Sequence, residues 1–186
     1  MKNLVPSQRV AVFVDYANVN RSASDAGISL NYEDLLTYIT ANRHLVEAVA
    51  YVPIDPNAPA ARDGQCEDLW LGGYFVKTKL GKAVGDSYKC NVDVEMTIDI
   101  LNAALVMSID TAVLVSGDGD FVPVVEYLRG RGIRVEVCGF QANTARELIL
   151  KCSGYVDLDY YLSEQESGDV SNGGDLGDLN DLGLDE

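Results

Sequence analysis

Histidine and paired cysteines are what the sequence has least of. His44 is the only histidine among 186 residues, and it is expected at the end of a helix as a surface residue and not as a general base, so we expect no serine–histidine hydrolytic system. The four cysteines form no CxxC pair and have no spacing typical of zinc ligands. Cys138 and Cys152 lie in apolar stretches, and we expect both to be buried free thiols.

Long apolar runs are absent as well. No stretch of the sequence approaches membrane-spanning length, and the first apolar run is too short for a signal peptide. We therefore expect a chain without a membrane partner that works in the reducing environment of the cytoplasm.

Basic residues are scarce, with 14 Lys and Arg against 29 Asp and Glu and a net charge of −15. Eight of the acids fall in residues 163–186, which contain no Lys or Arg. This segment is low in complexity, and we predict a disordered acidic tail after a single domain over residues 1–162. About half of the negative charge therefore belongs to the tail. The sequence leaves open whether a second copy of the chain binds, and whether the tail binds a protein partner.

Strand and helix patterns alternate along residues 9–158, which predicts an α/β fold with a mainly parallel sheet and helices on both faces. The stretch from residue 16 to Gly27 is polar and predicts no element. The predicted strands are 9–15, 45–54, 74–79, 111–116, 133–139 and 155–158. The predicted helices are 31–42, 60–71, 92–107, 121–129 and 144–152.

Two of the predicted strands end on carboxylates. Asp15 ends the first strand, and the strand at 111–116 is followed by Asp118 and Asp120. Ligands of open α/β sheets bind outside the carboxyl ends of the strands, so these side chains are expected to converge there. Clustered carboxylates repel one another unless a cation or protons neutralise them. The pattern therefore predicts a divalent metal site.

Other polar residues near these strand ends allow two interpretations. Asp93 begins the long helix, where a carboxylate also suits simple N-terminal capping. Asp99 lies about 240° further around that helix and is expected to face elsewhere, as a buried or supporting acid. Asn18 suits either a local turn or a hydrogen bond to a metal-binding carboxylate. Gly117 and Gly119 are expected to allow a sharp turn with positive φ, which Ser116 would cap.

Three segments together resemble a known family. Phe13-Val-Asp-Tyr-Ala-Asn18, Lys89-Cys-Asn-Val-Asp93 with Asp99, and Leu114-Val-Ser-Gly-Asp-Gly-Asp-Phe-Val-Pro123 are similar to the successive motifs of the NYN family. These are PIN-like domains, and the similarity is greatest to the LabA-type branch. It covers about residues 8–162. Tyr16 and Cys90 stand where such sequences often have glycine, and we expect both to narrow substrate access.

The resemblance implies a PIN-like Rossmannoid fold of three α/β/α layers with a mainly parallel central sheet. It also implies a metal-dependent ribonuclease, in which water activated by Mg²⁺ or Mn²⁺ hydrolyses RNA. The residues that would act in catalysis are Asp15, Asp93, Asp118 and Asp120. The first three of these would bind the metal, and the supporting residues would be Asn18, Ser116 and Asp99.

RNA would also need a basic surface, and four lysines precede Asp93. They are Lys77, Lys79, Lys82 and Lys89, with Tyr74 and Tyr88 beside them as candidates for base stacking. A solvated basic face that binds nothing is an equal interpretation.

Two other functions remain to be compared with the ribonuclease. A haloacid-dehalogenase-type phosphatase needs an Asp-x-Asp pair, and Ala17 stands where its second carboxylate would be. A non-catalytic adaptor that binds RNA or metal and acts in regulation uses the same fold and motifs, so the sequence does not separate it from an enzyme.

Overall fold

A computed structural model describes residues 8–85 and 87–167 of the chain. The strands are β1 (Arg9–Asp15), β2 (His44–Ile54), β3 (Phe75–Leu80), β4 (Lys82–Val84), β5 (Ser87–Lys89), β6 (Thr111–Val115), β7 (Arg134–Gly139) and β8 (Gly154–Asp157). The helices are α1 (Tyr16–Asp25), α2 (Tyr32–Thr40), α3 (Asp63–Leu71), α4 (Asp93–Leu105), α5 (Val122–Arg129), α6 (Arg146–Lys151) and α7 (Leu158–Ser167).

Six strands form one parallel sheet in the order β3-β2-β1-β6-β7-β8. The chain builds outward from β1 to β3, then returns to the other side of β1 and builds outward again to β8. The strand order therefore reverses between β1 and β6, and crossover helices on either side leave a crevice at the carboxyl ends of these two strands. The predicted α/β class and parallel sheet are confirmed.

The two faces of the sheet are covered by different helices because alternate residues of each strand point to opposite sides. Ala11 and Phe13 of β1 pack with α4, α5 and α6 in one apolar cluster. Val10, Val12 and Val14 pack with α1, α2, α3 and α7 in the other. This arrangement gives the three layers that the sequence resemblance implied.

Three features of the structure were not predicted from the sequence, namely helix α1, the β4–β5 hairpin and helix α7. Residues 16–25 form α1 although Asn and Ser, which compete for backbone hydrogen bonds, make this segment a weak helix former. The helix is stabilised instead by its Asp15 cap and by burial of Val19 and Ala23. The second difference is the antiparallel hairpin β4–β5, whose three-residue strands are too short to give a periodic signal.

The structure can also be compared with the predictions for the cysteines, the domain boundary and the acidic tail. Cys138 and Cys152 are buried free thiols, as expected. Helix α7 continues to Ser167, so the predicted domain boundary at residue 162 falls inside a helix. The rest of the predicted acidic tail, residues 168–186, lies outside the described residues. Among the helices of the described part, none has the length and apolar character needed to cross a bilayer.

One buried acid ties the sheet to the helix layer on its α2 side. Glu136 on β7 is 1% exposed, and its two carboxylate oxygens each accept a hydrogen bond from an arginine. The donors are Nη1 of Arg43 and Nε of Arg134, both at 2.8 Å. Removing one partner of a buried pair leaves the other charge without compensation, which costs far more than breaking an exposed pair.

We expect Glu136→Gln to lower the free energy of unfolding by about 3 kcal/mol, because both arginines lose their carboxylate. Urea denaturation measures this loss. The matched control is Glu126→Gln, which breaks the exposed pair with Lys151 at 2.7 Å and is expected to cost less than about 1 kcal/mol. Equal losses for the two variants would contradict the assignment.

Candidate functional site

Three aspartates from distant parts of the chain meet at the crevice between β1 and β6. Asp15, Asp93 and Asp118 each offer one carboxylate oxygen, and these oxygens all lie within 4.8 Å of one another. Asp15 is buried, whereas the other two are half-buried. We refer to these residues as the aspartate triad. The structure thus brings together the three residues that the sequence proposed as metal ligands.

Asp15 is fixed by the direct passage from β1 into α1. Its Oδ1 accepts a hydrogen bond from the Asn18 N–H at 3.2 Å and so caps the helix. Its Oδ2 accepts a hydrogen bond at 3.4 Å from the hydroxyl of Ser116, which directly follows the neighbouring strand β6. The Ser116 oxygen in turn accepts from the Asp118 N–H at 3.1 Å. Ser116 therefore connects two members of the triad.

Asn18 joins the same two strand ends from the other direction. Its side-chain oxygen accepts a hydrogen bond from the Gly117 N–H at 2.9 Å. The interpretation of Asn18 as part of a local turn holds, because its N–H donates to the Asp15 cap, whereas the interpretation of its side-chain amide as a partner of a carboxylate is wrong. The bond is to the backbone of Gly117, and not to a carboxylate.

Gly117 is required because another segment of the chain packs closely against it. The prediction that Gly117 and Gly119 have a positive φ is wrong. Neither Gly117 nor Gly119 is among the glycines with positive φ. A Cβ atom on Gly117 would lie 2.3 Å from the Asn143 carbonyl oxygen and 2.9 Å from the Thr144 Cα. The segment that precedes α6 therefore covers this turn from above, and only a residue without a side chain leaves room for it.

Asp93 enters the triad as the first residue of α4. Asn91 holds it from both sides, because the Asn91 Oδ1 accepts from the Asp93 N–H at 2.8 Å and the Asn91 amide donates to the Asp93 carboxylate at 2.6 Å. Asn91 was not predicted from the sequence. An Asn two residues before an acid at a helix start is the signal that could have identified it.

Asp118 and Asp120 follow β6 on a tight turn, and their positions differ. The Asp118 Oδ1 accepts from the Asp120 N–H at 2.9 Å, which caps the short 3₁₀ turn at residues 119–121. Asp120 itself is exposed and lies outside the triad. Its charge still contributes to the raised pKa of Asp93.

The electrostatics of the triad are unfavourable when all three carboxylates are charged. Desolvation by burial, together with the charges of Asp93 and Asp118, raises the pKa of Asp15 from its ordinary 3.8 to about 6, although the hydrogen bonds from Asn18 and Ser116 act to lower it. Burial and the nearby acids also raise the pKa of Asp93. At an effective dielectric constant of about 20, two charges at this spacing repel by roughly 3.5 kcal/mol. Helix N-termini return only about 0.3–1 kcal/mol each.

Asp99, proposed as a supporting acid, belongs to a different cluster. Its carboxylate accepts from the Tyr51 hydroxyl and from Lys77 Nζ, both at 2.5 Å. This agrees with its predicted direction, away from Asp93. Lys77 is thus engaged in an ion pair, and Lys79 likewise pairs with Glu95 at 2.5 Å and donates to the Asn91 carbonyl at 2.7 Å.

The remaining two lysines of the proposed basic surface face each other. Lys82 and Lys89 are directly opposite across the β4–β5 hairpin, both exposed, and neither has a carboxylate partner among residues 8–85 and 87–167. Like charges opposite each other in a ribbon are destabilising. Tyr88 on the same hairpin is half-buried, whereas Tyr74 is 2% exposed with its hydroxyl bonded to the Tyr32 carbonyl. The proposed base stacking by Tyr74 is therefore wrong.

The raised pKa of Asp15 gives a testable dependence of stability on pH in the presence of a chelator. The folded chain binds this proton more tightly than the unfolded chain, so stability falls as pH rises from about 4 to about 6. Asp15→Asn keeps the capping oxygen but removes the charge. We expect it to match the parent chain at pH 4 in urea denaturation and to exceed it at pH 7.5, by up to about 3 kcal/mol. If Asp15→Asn and the parent chain have the same free energy of unfolding at pH 4 and again at pH 7.5, the charge of the Asp15 carboxylate does not destabilise the fold.

Comparisons with known proteins agree with this geometry. The model of the NYN domain matches residues 9–159. The "Low amplitude and bright protein LabA" of Synechococcus elongatus is 33% identical over 158 residues, which covers 81% of this chain and 83% of the LabA chain. A crystal structure of a Vibrio parahaemolyticus protein of unknown function has a TM-score of 0.73 and 29% identity, and the match covers 86% of this chain and 97% of that one. The chain belongs to the NYN domain family, with LabA among its relatives.

Proposed function

We propose that this protein is a metal-dependent ribonuclease that hydrolyses phosphodiester bonds of RNA at the aspartate triad. The observation that carries the proposal is the convergence of three carboxylate oxygens within 4.8 Å at the reversal point of the sheet, in a chain of the NYN family. Acids of this kind at strand ends suit a reaction in which a water molecule and an anionic phosphate must be held close together.

The donor set of the triad fits Mg²⁺ or Mn²⁺. Both ions prefer oxygen ligands. In proteins that act on phosphates, such an ion is typically bound by a small number of carboxylates, and water and phosphate oxygens fill its other positions. Asp15, Asp93 and Asp118 would hold the ion. When bound, it supplies positive charge that offsets the phosphate and acidifies water. Its charge would also offset the repulsion that, after desolvation by burial, raises the pKa of Asp15.

The surrounding residues orient the triad. Ser116 donates to Asp15 and accepts from the Asp118 backbone, which keeps both carboxylates turned toward the crevice. Asn18 holds the two strand ends together through Gly117. We assign Asp120 to orienting water at the rim, because it is exposed and its charge acts on Asp93. Asp99 would act only at a distance, by holding Lys77.

The RNA strand would approach over the β4–β5 hairpin. This hairpin connects β3 to α4, so it lies at the same edge of the sheet as the triad. Lys82 and Lys89 have no carboxylate partner in the described part of the chain, and a phosphate between them would offset their repulsion. Lys77 and Lys79 would contribute less, because each would have to give up an ion pair.

We expect Asp118→Asn to abolish Mn²⁺-dependent cleavage of a labelled single-stranded RNA, because the triad loses one of its three charges. The matched control is Asp25→Asn, the same change at the exposed far end of α1, which should cleave like the parent chain. Gel analysis with and without chelator measures both. RNA binding without any cleavage by the parent chain would instead favour the non-catalytic adaptor.

We expect the double variant Lys82→Glu with Lys89→Glu to weaken RNA binding by at least tenfold and to flatten its salt dependence, because two phosphate contacts are lost. Lys77→Glu changes the same type of charge at a lysine that is already paired, and it serves as the comparison. Fluorescence anisotropy at several KCl concentrations measures the affinities. Identical salt slopes for parent and double variant would assign the hairpin lysines to the solvated surface.

A further inference from the structure

Arg62 differs from the other half-buried cations of the described residues because it forms no ion pair with a carboxylate. Within residues 8–85 and 87–167, each remaining half-buried Lys or Arg forms an ion pair with a carboxylate. These cations are Arg43, Lys77, Lys79, Arg134 and Lys151. No carboxylate of the described residues pairs with Arg62. The Arg62 guanidinium therefore has no carboxylate to offset its charge, and it can bind an anionic ligand without first losing an ion pair.

An aromatic ring holds Arg62 in place instead of an acid. Its Cζ lies 5.2 Å from the centroid of the Tyr16 ring, which is a cation–π distance. Tyr16 follows Asp15 directly in sequence, and its ring is 4% exposed and packs 5.7 Å from the Tyr32 ring. The Tyr16 ring thus supports Arg62 from below.

Arg62 lies on the same edge of the sheet as the triad. It ends the 3₁₀ turn Pro59–Arg62, which follows the carboxyl end of β2, and β2 pairs with β1 as far as Asp15. Burial raises the pKa of Tyr32, and the charges of Arg62 and Asp15 act on this pKa in opposite directions. Arg62 and Asp15 thus both follow the carboxyl ends of neighbouring strands.

A cleft of about 650 Å³ begins beside Tyr16 and passes between α1, α3 and the start of α2. Its volume is typical of sites for small organic ligands. Its lining is rich in hydrogen-bonding side chains, among them Asn20, Asn31, Gln65 and Asp68. Asp68 and Glu33 would repel a phosphate inside the cleft, but their oxygens can accept hydrogen bonds from the amino groups of a base.

We propose that Arg62 and this cleft form a subsite for one nucleotide of single-stranded RNA, next to the phosphate that lies at the triad. Arg62 contacts the phosphate of that nucleotide, and its base enters the cleft. The inference rests on the proposed ribonuclease function and adds where the substrate strand is held on the α1–α3 side. The hairpin lysines contact the strand on the other side of the triad.

The phosphate contact is tested by RNA affinity in the Asp118→Asn background, which keeps the RNA intact. The probe is a fluorescent 12-nucleotide single-stranded RNA with Mg²⁺, measured by anisotropy at three KCl concentrations. We expect Arg62→Gln to raise Kd by about tenfold and to reduce the slope of log K against log salt by about 0.7, the value of one phosphate on a single strand. Arg62→Lys should restore the slope.

Arg131→Gln is the matched control. Arg131 also lies over a tyrosine ring, 3.4 Å from the Tyr127 centroid, but it precedes β7 at the opposite edge of the sheet. It should leave both Kd and slope unchanged. Equal effects of Arg62→Gln and Arg131→Gln would overturn the subsite. If the Asp118→Asn variant with no further change binds no RNA, the proposed function itself is overturned.

The base contact is tested by filling the cleft. Gln65 is exposed on α3 and lines the cleft, so Gln65→Trp introduces an indole there without changing the core. We expect Gln65→Trp to raise Kd for the 12-nucleotide RNA about tenfold. The slope of log K against log salt should remain equal to that of the Asp118→Asn variant, because no phosphate contact is lost. An unchanged Kd would show that the base does not enter the cleft.

Discussion

The repulsion between carboxylates at the reversal point of the sheet is the constraint on which the rest of this structure depends. Asp15 ends a strand that is buried from Val10 onward, and it cannot move away from Asp118 because β1 and β6 are hydrogen-bonded neighbours. Asp93 then approaches from the start of α4. The fold therefore assembles three like charges in a partly desolvated place, where each pair repels by more than a helix terminus can offset. Desolvation by burial and this repulsion both raise the pKa of Asp15, and the cation of the proposed metal site would offset the repulsion.

The positions of these charges are maintained by backbone geometry more than by side-chain packing. Asp15 caps α1, Asp93 begins α4, and Asp118 caps the 3₁₀ turn that leads into α5. Each carboxylate is thereby placed at the positive end of a helical segment, on elements that belong to both faces of the sheet. The close approach at Gly117 brings the segment before α6 over the same turn. A change in any of these elements would displace a ligand of the proposed metal site.

The cations around the triad fall into two groups that differ in what holds them. Lys77 and Lys79 are bound to acids of α4 and so connect β3 to that helix. Lys82, Lys89 and Arg62 have no such acid in the described part of the chain. The four lysines looked equivalent in the sequence because spacing alone does not show which acids are within reach. Only the second group is available to bind the phosphates of a substrate without first losing an ion pair.

The sequence by itself determined the class of fold, most of the strands and helices, and the three acids of the triad. Apolar strands that end on aspartate are local patterns, and the parallel arrangement follows from the alternation of strand and helix. Tertiary structure alone decided that residues 16–25 form a helix, that Gly117 is needed for packing, that Asp99 serves another cluster, and that Arg62 lies over the Tyr16 ring. The physical reason is the same in each case. These features depend on contacts between segments far apart in the chain, and no local pattern of residue types records which distant groups will meet.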